Sequence, residues 1–250
     1  MTTPRFAIAI PMLNEAETVP HLLGGCVAAA EPFGAFEICV TDDGSTDGTG
    51  AALRAFGAAY PQANLTILTH PRPAGQSAAV HAAVSAARAP IIATLDGDGQ
   101  NPPEELPKLL NVLLNGPETL GLVAGQRVKR DDPLPKRVAS KAANTIRGVL
   151  LKDGTRDTGC GLKAYRRDAY LALPYFDHMH RYLPALFQRD GWEIAHVDVA
   201  HKPRTSGASK YTNLGRAIVG LSDLFGVAWL IRRRRKVLPK ETEISRQEER

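Results

Sequence analysis

Asp96-Gly97-Asp98 sets two carboxylates one residue apart, directly after the apolar run Ile91-Ile92-Ala93-Thr94-Leu95. A pair of this kind at a strand end offers oxygen ligands to a hard cation, and the glycine between them lets backbone and ligand approach closely. Magnesium or manganese prefers one or two carboxylates, several waters and phosphate oxygens, so an open pair suits a nucleoside diphosphate. Gln100 adds a neutral oxygen nearby. An acidic turn leading into a helix opened by Pro102-Pro103 is the plainer alternative. Two further polar clusters weigh against it. Pro11-Met12-Leu13-Asn14-Glu15 follows the apolar run 6–10, and Asp42-Asp43-Gly44-Ser45-Thr46-Asp47 follows 36–41. Ser45 or Asp47 can cap the next helix. The adjacent carboxylates Asp42 and Asp43 repel unless something uses them; Asp43 is placed to accept hydrogen bonds from a nucleobase or ribose, with Asn14 and Glu15 lining the same pocket.

The elements that must position these residues alternate. Strands are predicted over 6–10, 36–41, 65–69, 91–95 and 120–125, and helices over 16–30, 47–60, 76–88 and 102–115. Such alternation predicts an α/β fold with a mostly parallel central sheet flanked by helices. Ligands bind beyond the carboxyl ends of such strands, which gathers all three polar clusters at one edge. The second half is less regular: a helix over 135–151, a Gly-rich loop over 156–163, a strand over 194–199, and a basic loop over 201–211. An amphipathic helix over 214–231 follows, with Ala217, Ile218, Leu221, Phe225, Ala228 and Trp229 expected on one apolar face and a basic cluster over 232–236 at its end. Such a helix lies in a headgroup plane or packs on the domain core. The division expected is a catalytic domain over 1–212, a membrane-surface helix over 213–236, and a disordered charged tail over 237–250.

Composition narrows the setting. With 250 residues, 44% hydrophobic and 23% charged, the chain has the makings of a globular core. A formal charge of +5 favours an anionic partner. Cys26, Cys39 and Cys160 are odd in number and far apart, which argues against a disulfide framework or zinc site. No signal-peptide pattern opens the chain, and no uncharged run reaches the roughly 18–20 apolar residues that span a bilayer. The expected location is cytoplasmic, peripheral on the inner face of a membrane.

Together, Pro11-x-x-Asn14-Glu15, Asp42-Asp43-Gly44-Ser45-Thr46-Asp47 and Asp96-x-Asp98-Gly99-Gln100 resemble the family 2 glycosyltransferases, which have the GT-A fold. Gly125-Gln126-Arg127, Arg137-x-x-Ser140, Asp157-Thr158-Gly159-Cys160-Gly161 and Arg204-x-x-Gly207-x-Ser209-Lys210-Tyr211 narrow the resemblance to polyprenyl-phosphate sugar transferases, the dolichyl-phosphate mannose synthase group. It spans about residues 5 to 231. The resemblance implies a base and ribose pocket from Pro11, Leu13, Glu15, Thr41 and Asp43, and the strand-end position of Asn14 adds it to the donor-binding residues. It puts Asp96, Gly97 and Asp98, with Gln100, at the diphosphate and a magnesium or manganese ion. Arg127 and Arg137 meet the acceptor phosphate with Ser140 nearby, and Arg204 and Lys210 close over the donor diphosphate. Asp157 orients the acceptor site, and Arg181, in His180-Arg181-Tyr182, approaches the donor. Leu13 departs from the aromatic often found there, and the membrane-spanning C-terminal helices of many relatives are not in this chain.

The expected partners are a GDP- or UDP-sugar, a polyprenyl phosphate and a membrane surface, with a small membrane-spanning partner or self-association supplying further anchorage, and no nucleic acid. A lipid phosphate is anionic near pH 7 and attacks without a general base, so arginine forks matter more than a proton acceptor. A single displacement inverts the anomeric centre. The rivals are a family 2 transferase acting on a hydroxyl acceptor, a sugar-phosphate nucleotidyltransferase, which usually carries a Gly-rich loop after its first strand, and a basic binding module.

Overall fold

A computed structural model describes residues 3–128, 147–148, 150–202 and 213–234, over 213–219 by their backbone. Seven strands form one sheet: β1 (Phe6–Met12), β2 (Phe36–Asp42), β3 (Leu65–Thr69), β4 (Ile91–Thr94), β5 (Leu120–Arg127), β6 (Lys163–Arg166) and β7 (Glu193–Val199). Their order is β3-β2-β1-β4-β6-β5-β7. Neighbours run parallel except at β6, which is antiparallel to both β4 and β5. The two reversals cancel, so β5 and β7 point the same way as β1 to β4. The carboxyl ends of those six strands and the start of β6 therefore share one edge.

Described helices are α1 (Val19–Ala30), α2 (Thr49–Ala59), α3 (Gln76–Ala86), α4 (Leu106–Leu114), α5 (Arg167–Leu171), α6 (Leu183–Arg189) and α7 (Asn213–Arg232). Strand β1 shows why helices cover both faces. Phe6, Ile8, Ile10 and Met12 enter a cluster with Leu22, Leu23, Leu53 and Leu109 of α1, α2 and α4. Ala7 and Ala9 turn to the other side, where Val80, Ala83 and Val84 of α3 meet them. The two-residue period thus places bulk on one face and small side chains against an Ala-rich helix on the other. Each large residue buried this way contributes about 1.5–3 kcal/mol.

Several expectations change. Strands β1, β2 and β5 run one or two residues further than expected, to Met12, Asp42 and Arg127, so those side chains sit on the sheet's last rungs. Helix α1 begins at Val19, with Pro20 in its first turn. The stretch 103–114 is a 3₁₀ turn, Pro103–Glu105, followed by α4. The Gly-rich loop ends earlier because Lys163 already starts β6, a four-residue strand paired on both sides. Helices α5 and α6 are too short to show a period. Most of the expected helix over 135–151, the basic loop from 203 onwards and the tail lie outside the described residues.

On α7 the expected apolar face divides. Leu224, Val227 and Ala228 are buried against the core, whereas Leu221, Phe225 and Trp229 are exposed. The helix is apolar on two sides, and a simple wheel merges them. No described helix is long and apolar enough to cross a membrane.

Candidate active site

The three polar clusters do meet at the shared edge, because β1, β2 and β4 are parallel neighbours. Hydrogen bonds bind the first two loops together. Asn14 has φ +58°, a backbone that asparagine tolerates better than most. Its amide N–H donates to Ser45 Oγ at 2.9 Å, and its Oδ1 accepts from the Thr46 amide at 2.8 Å. The Glu15 amide donates to Thr49 Oγ1 at 2.9 Å, and the Ala16 amide to Asp47 Oδ2 at 3.2 Å. Asp47 Oδ1 accepts from the Thr49 amide at 2.8 Å, so Asp47 holds the first turn of α2 while gripping the neighbouring loop. Asp42 closes its own turn by accepting from the Ser45 amide at 2.9 Å. Gly44 is required: its φ is +75°, and a Cβ would lie 2.6 Å from the Arg72 backbone.

Asp43 is the hub of the next loop. Its carboxylate accepts from the amides of Ala74 and Gly75, both at 2.9 Å, and lies 2.6 Å from His70 Nδ1. The side chain is 6% exposed, so it shapes the turn entering α3 from below. Thr41, paired with Pro11 of β1, is fully buried, and its hydroxyl has no partner among the described residues. Pro11, Leu13, Asn14 and Glu15 are partly exposed along the cleft edge.

Asp96 and Asp98 follow β4. Asp96 Oδ1 accepts from Gln76 Nε2 at 2.7 Å and Oδ2 from Asn101 Nδ2 at 2.9 Å; Asp98 Oδ1 accepts from the Gln100 amide at 3.1 Å. Gly97 packs so closely on β1 that a Cβ would lie 2.6 Å from the Pro11 carbonyl oxygen. A Cβ on Gly161 would overlap the Asp96 carboxylate, so the loop before β6 is pressed against it. Burial and the neighbouring Asp98 push the Asp96 carboxyl above its usual range, while Lys163, the Asn101 amide and Arg127 pull it back. Two hard carboxylates, oriented by amides and strained by mutual repulsion, fit a divalent cation. Among the described residues no three His, Cys, Asp or Glu side chains converge on one point.

Arg127 ends β5 on the same edge. Its Nε and Nη2 donate to the two Asp157 oxygens at 2.5 and 2.8 Å, a bidentate pair with side chains 13% and 7% exposed. The hydrogen bonds that Arg127 donates to Asp157 raise its pKa against the opposing effect of burial, and Asp96 adds to the rise. Asp157 therefore anchors Arg127. Gly159 passes close to it, since a Cβ there would lie 3.1 Å from Arg127 Nη2. The loop 157–161 thus links Arg127 at one end to Asp96 at the other.

Lys163 was not among the expected site residues. It is 5% exposed, starts β6 at this edge and donates through Nζ to the Cys160 carbonyl. Burial lowers its pKa, with Cys160, Asp96 and Asp157 opposing. Its only sequence signal is a lysine after Gly159-Cys160-Gly161-Leu162 that is followed by apolar residues. A cavity of about 130 Å³ opens here, lined by Pro11, Gln76, Asp96, Lys163, His180 and Arg181 among others. His180 Nδ1 lies 2.8 Å from Ser77 Oγ, and burial together with Lys163 and Arg181 holds its pKa well below the usual 6.5. Arg137, Ser140, Arg204 and Lys210 lie outside the described residues.

A sequence profile described as glycosyl transferase family 2 matches residues 7–173. The chain is 34% identical over 217 residues to an undecaprenyl-phosphate 4-deoxy-4-formamido-L-arabinose transferase of Sodalis glossinidius (strain morsitans), covering 85% of this chain and 65% of that protein. It is 35% identical over 206 residues to a protein of the same name from Shewanella sediminis (strain HAW-EB3), with 82% and 61% covered. The chain thus spans just under two thirds of the length of these curated relatives. A mannosyltransferase from Pyrobaculum calidifontis, solved with GDP-Man and Mn2+, superposes with a TM-score of 0.67 at 22% identity over 92% of this chain and 65% of the other. Glucosyl-3-phosphoglycerate synthase from Mycobacterium tuberculosis, solved with Mn2+, UDP and glucosyl-3-phosphoglycerate, gives 0.60 at 19% over 92% and 77%. At these identities the likeness speaks for the fold, which is GT-A.

Proposed function

The chain belongs to glycosyl transferase family 2, and from that premise we propose that it moves a glycosyl group from a nucleotide-diphosphate sugar to the phosphate of a polyprenyl phosphate. The observation that carries this reading is one sheet edge bearing a carboxylate pair, Asp96 and Asp98, together with an anchored arginine, Arg127. A diphosphate donor needs the first and an anionic acceptor the second.

The residues divide the work. The loops 11–15 and 42–47, with the turn held by Asp43, form the wall for base and ribose. Asp96 and Asp98 take the diphosphate end. Magnesium or manganese bound there would neutralise charge on the departing nucleoside diphosphate. Arg127 commits two of its five N–H donors to Asp157 and keeps the rest for acceptor phosphate oxygens. Arg137 and Ser140 join it there, and Arg204 and Lys210 cover the donor diphosphate. Arg181 lines the cavity beside Asp96, where the donor sugar would reach. The acceptor phosphate is its own nucleophile, and inversion follows from one displacement. Both oxygens of Asp157 accept from Arg127, which makes it a poor proton acceptor and disfavours a hydroxyl substrate. The sugar is a mannose- or glucose-like hexose or, as the names of the relatives indicate for those proteins, a substituted arabinose. The donor nucleotide is guanosine or uridine diphosphate. Because the acceptor is a lipid, the working location is peripheral on the inner membrane face, with a small spanning partner or self-association adding anchorage.

The test is a panel of radiolabelled GDP- and UDP-sugars with undecaprenyl or dolichyl phosphate, with and without Mn2+. The expected product extracts into organic solvent and is released by mild acid. An acid-stable product on a hydroxyl acceptor would assign the protein to the other branch of the family, and release of pyrophosphate would make it a nucleotidyltransferase.

A further inference from the structure

Helix α7 faces two environments. Its inner stripe, Leu224, Val227 and Ala228, is buried. On the outer side Leu221, Phe225 and Trp229 stand four residues apart and are 53%, 60% and 59% exposed. Residues at this spacing align along one helix face, so three large apolar side chains form a ridge. A ridge of this kind on a soluble surface marks an interaction site. Its C-terminal end is basic: Arg232, Arg233 and Arg234 are exposed, and the Arg233 guanidinium lies 6.0 Å from the centroid of the Trp229 ring. Apolar side chains, a tryptophan and then arginines are what a helix lying in an anionic headgroup layer presents.

The inner side of the same helix touches the turn that lines the catalytic cavity. Tyr182 Oη donates to the Gly220 carbonyl at 3.0 Å, and His178 Nδ1 lies 3.3 Å from Asp223 Oδ2. Arg189 Nε donates to the Leu230 carbonyl at 3.0 Å. Between Tyr182 and His178 stand His180 and Arg181, which line the cavity beside Asp96, and His180 is tied to Ser77 on α3. His178 has φ +65°, a left-handed backbone that histidine tolerates better than most residues but that is uncommon outside glycine, and its neighbours hold it there. Helix α7 is one of those neighbours.

We propose that α7 docks on an anionic lipid surface through Leu221, Phe225 and Trp229 with Arg232, Arg233 and Arg234, and that Tyr182 and His178 act as positioning residues which carry the docked helix's placement to His180 and Arg181. The inference rests on the lipid-acceptor reading for its purpose but on separate residues for its geometry. The cavity then takes its working shape where the acceptor is found.

Co-sedimentation with phosphatidylcholine vesicles, with and without phosphatidylglycerol, tests the docking face. The wild-type chain is expected to pellet with the anionic vesicles. Phe225→Ser/Trp229→Ser and Arg233→Ser/Arg234→Ser should each weaken binding about tenfold or more. Undiminished binding in the first double variant overturns the docking face. So does a ridge-dependent dimer in light scattering without vesicle binding, which would assign the ridge to a second copy. The link is tested with a short, water-soluble prenyl phosphate as acceptor. Acceptor-free anionic vesicles should raise wild-type kcat about threefold, as a modest population shift would. Tyr182→Phe should bind vesicles like wild type and show no such rise; equal stimulation overturns the link. If no glycosyl transfer occurs under any condition, the lipid-acceptor reading has failed, while vesicle binding and vesicle-dependent donor hydrolysis still decide this one.

Discussion

The two halves of the cleft are built from different interactions. On the side of β1, β2 and β3, loops are joined by hydrogen bonds from backbone amides to short polar side chains: Asn14 with Ser45 and Thr46, Asp47 with Ala16 and Thr49, Asp43 with Ala74 and Gly75. On the side of β5 and β6, charges hold the site: Arg127 with Asp157, and Lys163 near Asp96 and Asp157. The first kind spreads its stabilisation over many bonds, worth about 1 kcal/mol each for the neutral acceptors and about 1.5–3 kcal/mol for the carboxylates. The second concentrates it, because removing one partner leaves a charge with little water. A pocket wall for a nucleotide suits the first. Gripping two anionic groups close together needs the second.

Variants can break this contrast, beginning with the residue that should matter most to chemistry. Asp98→Ala is expected to lower transfer by about 10³-fold or more with little change in thermal stability. Turnover within tenfold of wild type would remove Asp98 from the mechanism. Next, Asp157→Ala should cost about 3 kcal/mol in denaturant unfolding by leaving Arg127 unpaired, whereas Arg127→Met/Asp157→Leu should recover most of that stability but not transfer. If the single variant proves as stable as the double, the pair is not what holds this side. Asp43→Asn swaps one accepting oxygen for an amide that cannot accept, and a loss of about 2 kcal/mol is expected in the same assay. A loss matching that of Asp157→Ala would erase the difference between the two sides.

The smallest expected effect is on pH dependence. The folded state keeps His180 neutral below its usual 6.5, whereas the unfolded chain protonates it there. The unfolded state thus binds more protons in that window, and stability falls as pH drops through about 6.5 toward the depressed folded value. His180→Gln, which can still bond Ser77, should flatten that slope. An unchanged slope would place the acid sensitivity elsewhere, with His196, also lowered by burial, the next to test.

How much was legible in advance follows from the range of each interaction. The strands and helices up to β5 announce themselves by period and by apolar runs, because both are local properties. The loops 11–15 and 42–47 were readable as partners once the sheet was expected to be parallel. Strand β6 was hidden: four residues carry no period, and Lys163 at its start resembles a loop residue. The Arg127–Asp157 pair joins positions 30 apart. The resemblance named both residues, yet it assigned Arg127 to the phosphate and left unstated that Asp157 holds it in place. Thr41 was expected in the donor pocket, and the structure buries it on the face of β2 that it shares with Cys39, which α3 covers.

By itself the chain's order of residues determined the strand–helix alternation, the carboxylate pair after β4 and the glycine that must separate it, since these depend on neighbours a few positions apart. Only the tertiary structure decided that β6 runs backwards, that Lys163 stands among carboxylates, and that Arg127 reaches the cleft already paired. It also decided which apolar stripe of α7 is buried. Those outcomes depend on which distant surfaces exclude water together, and no local pattern records that.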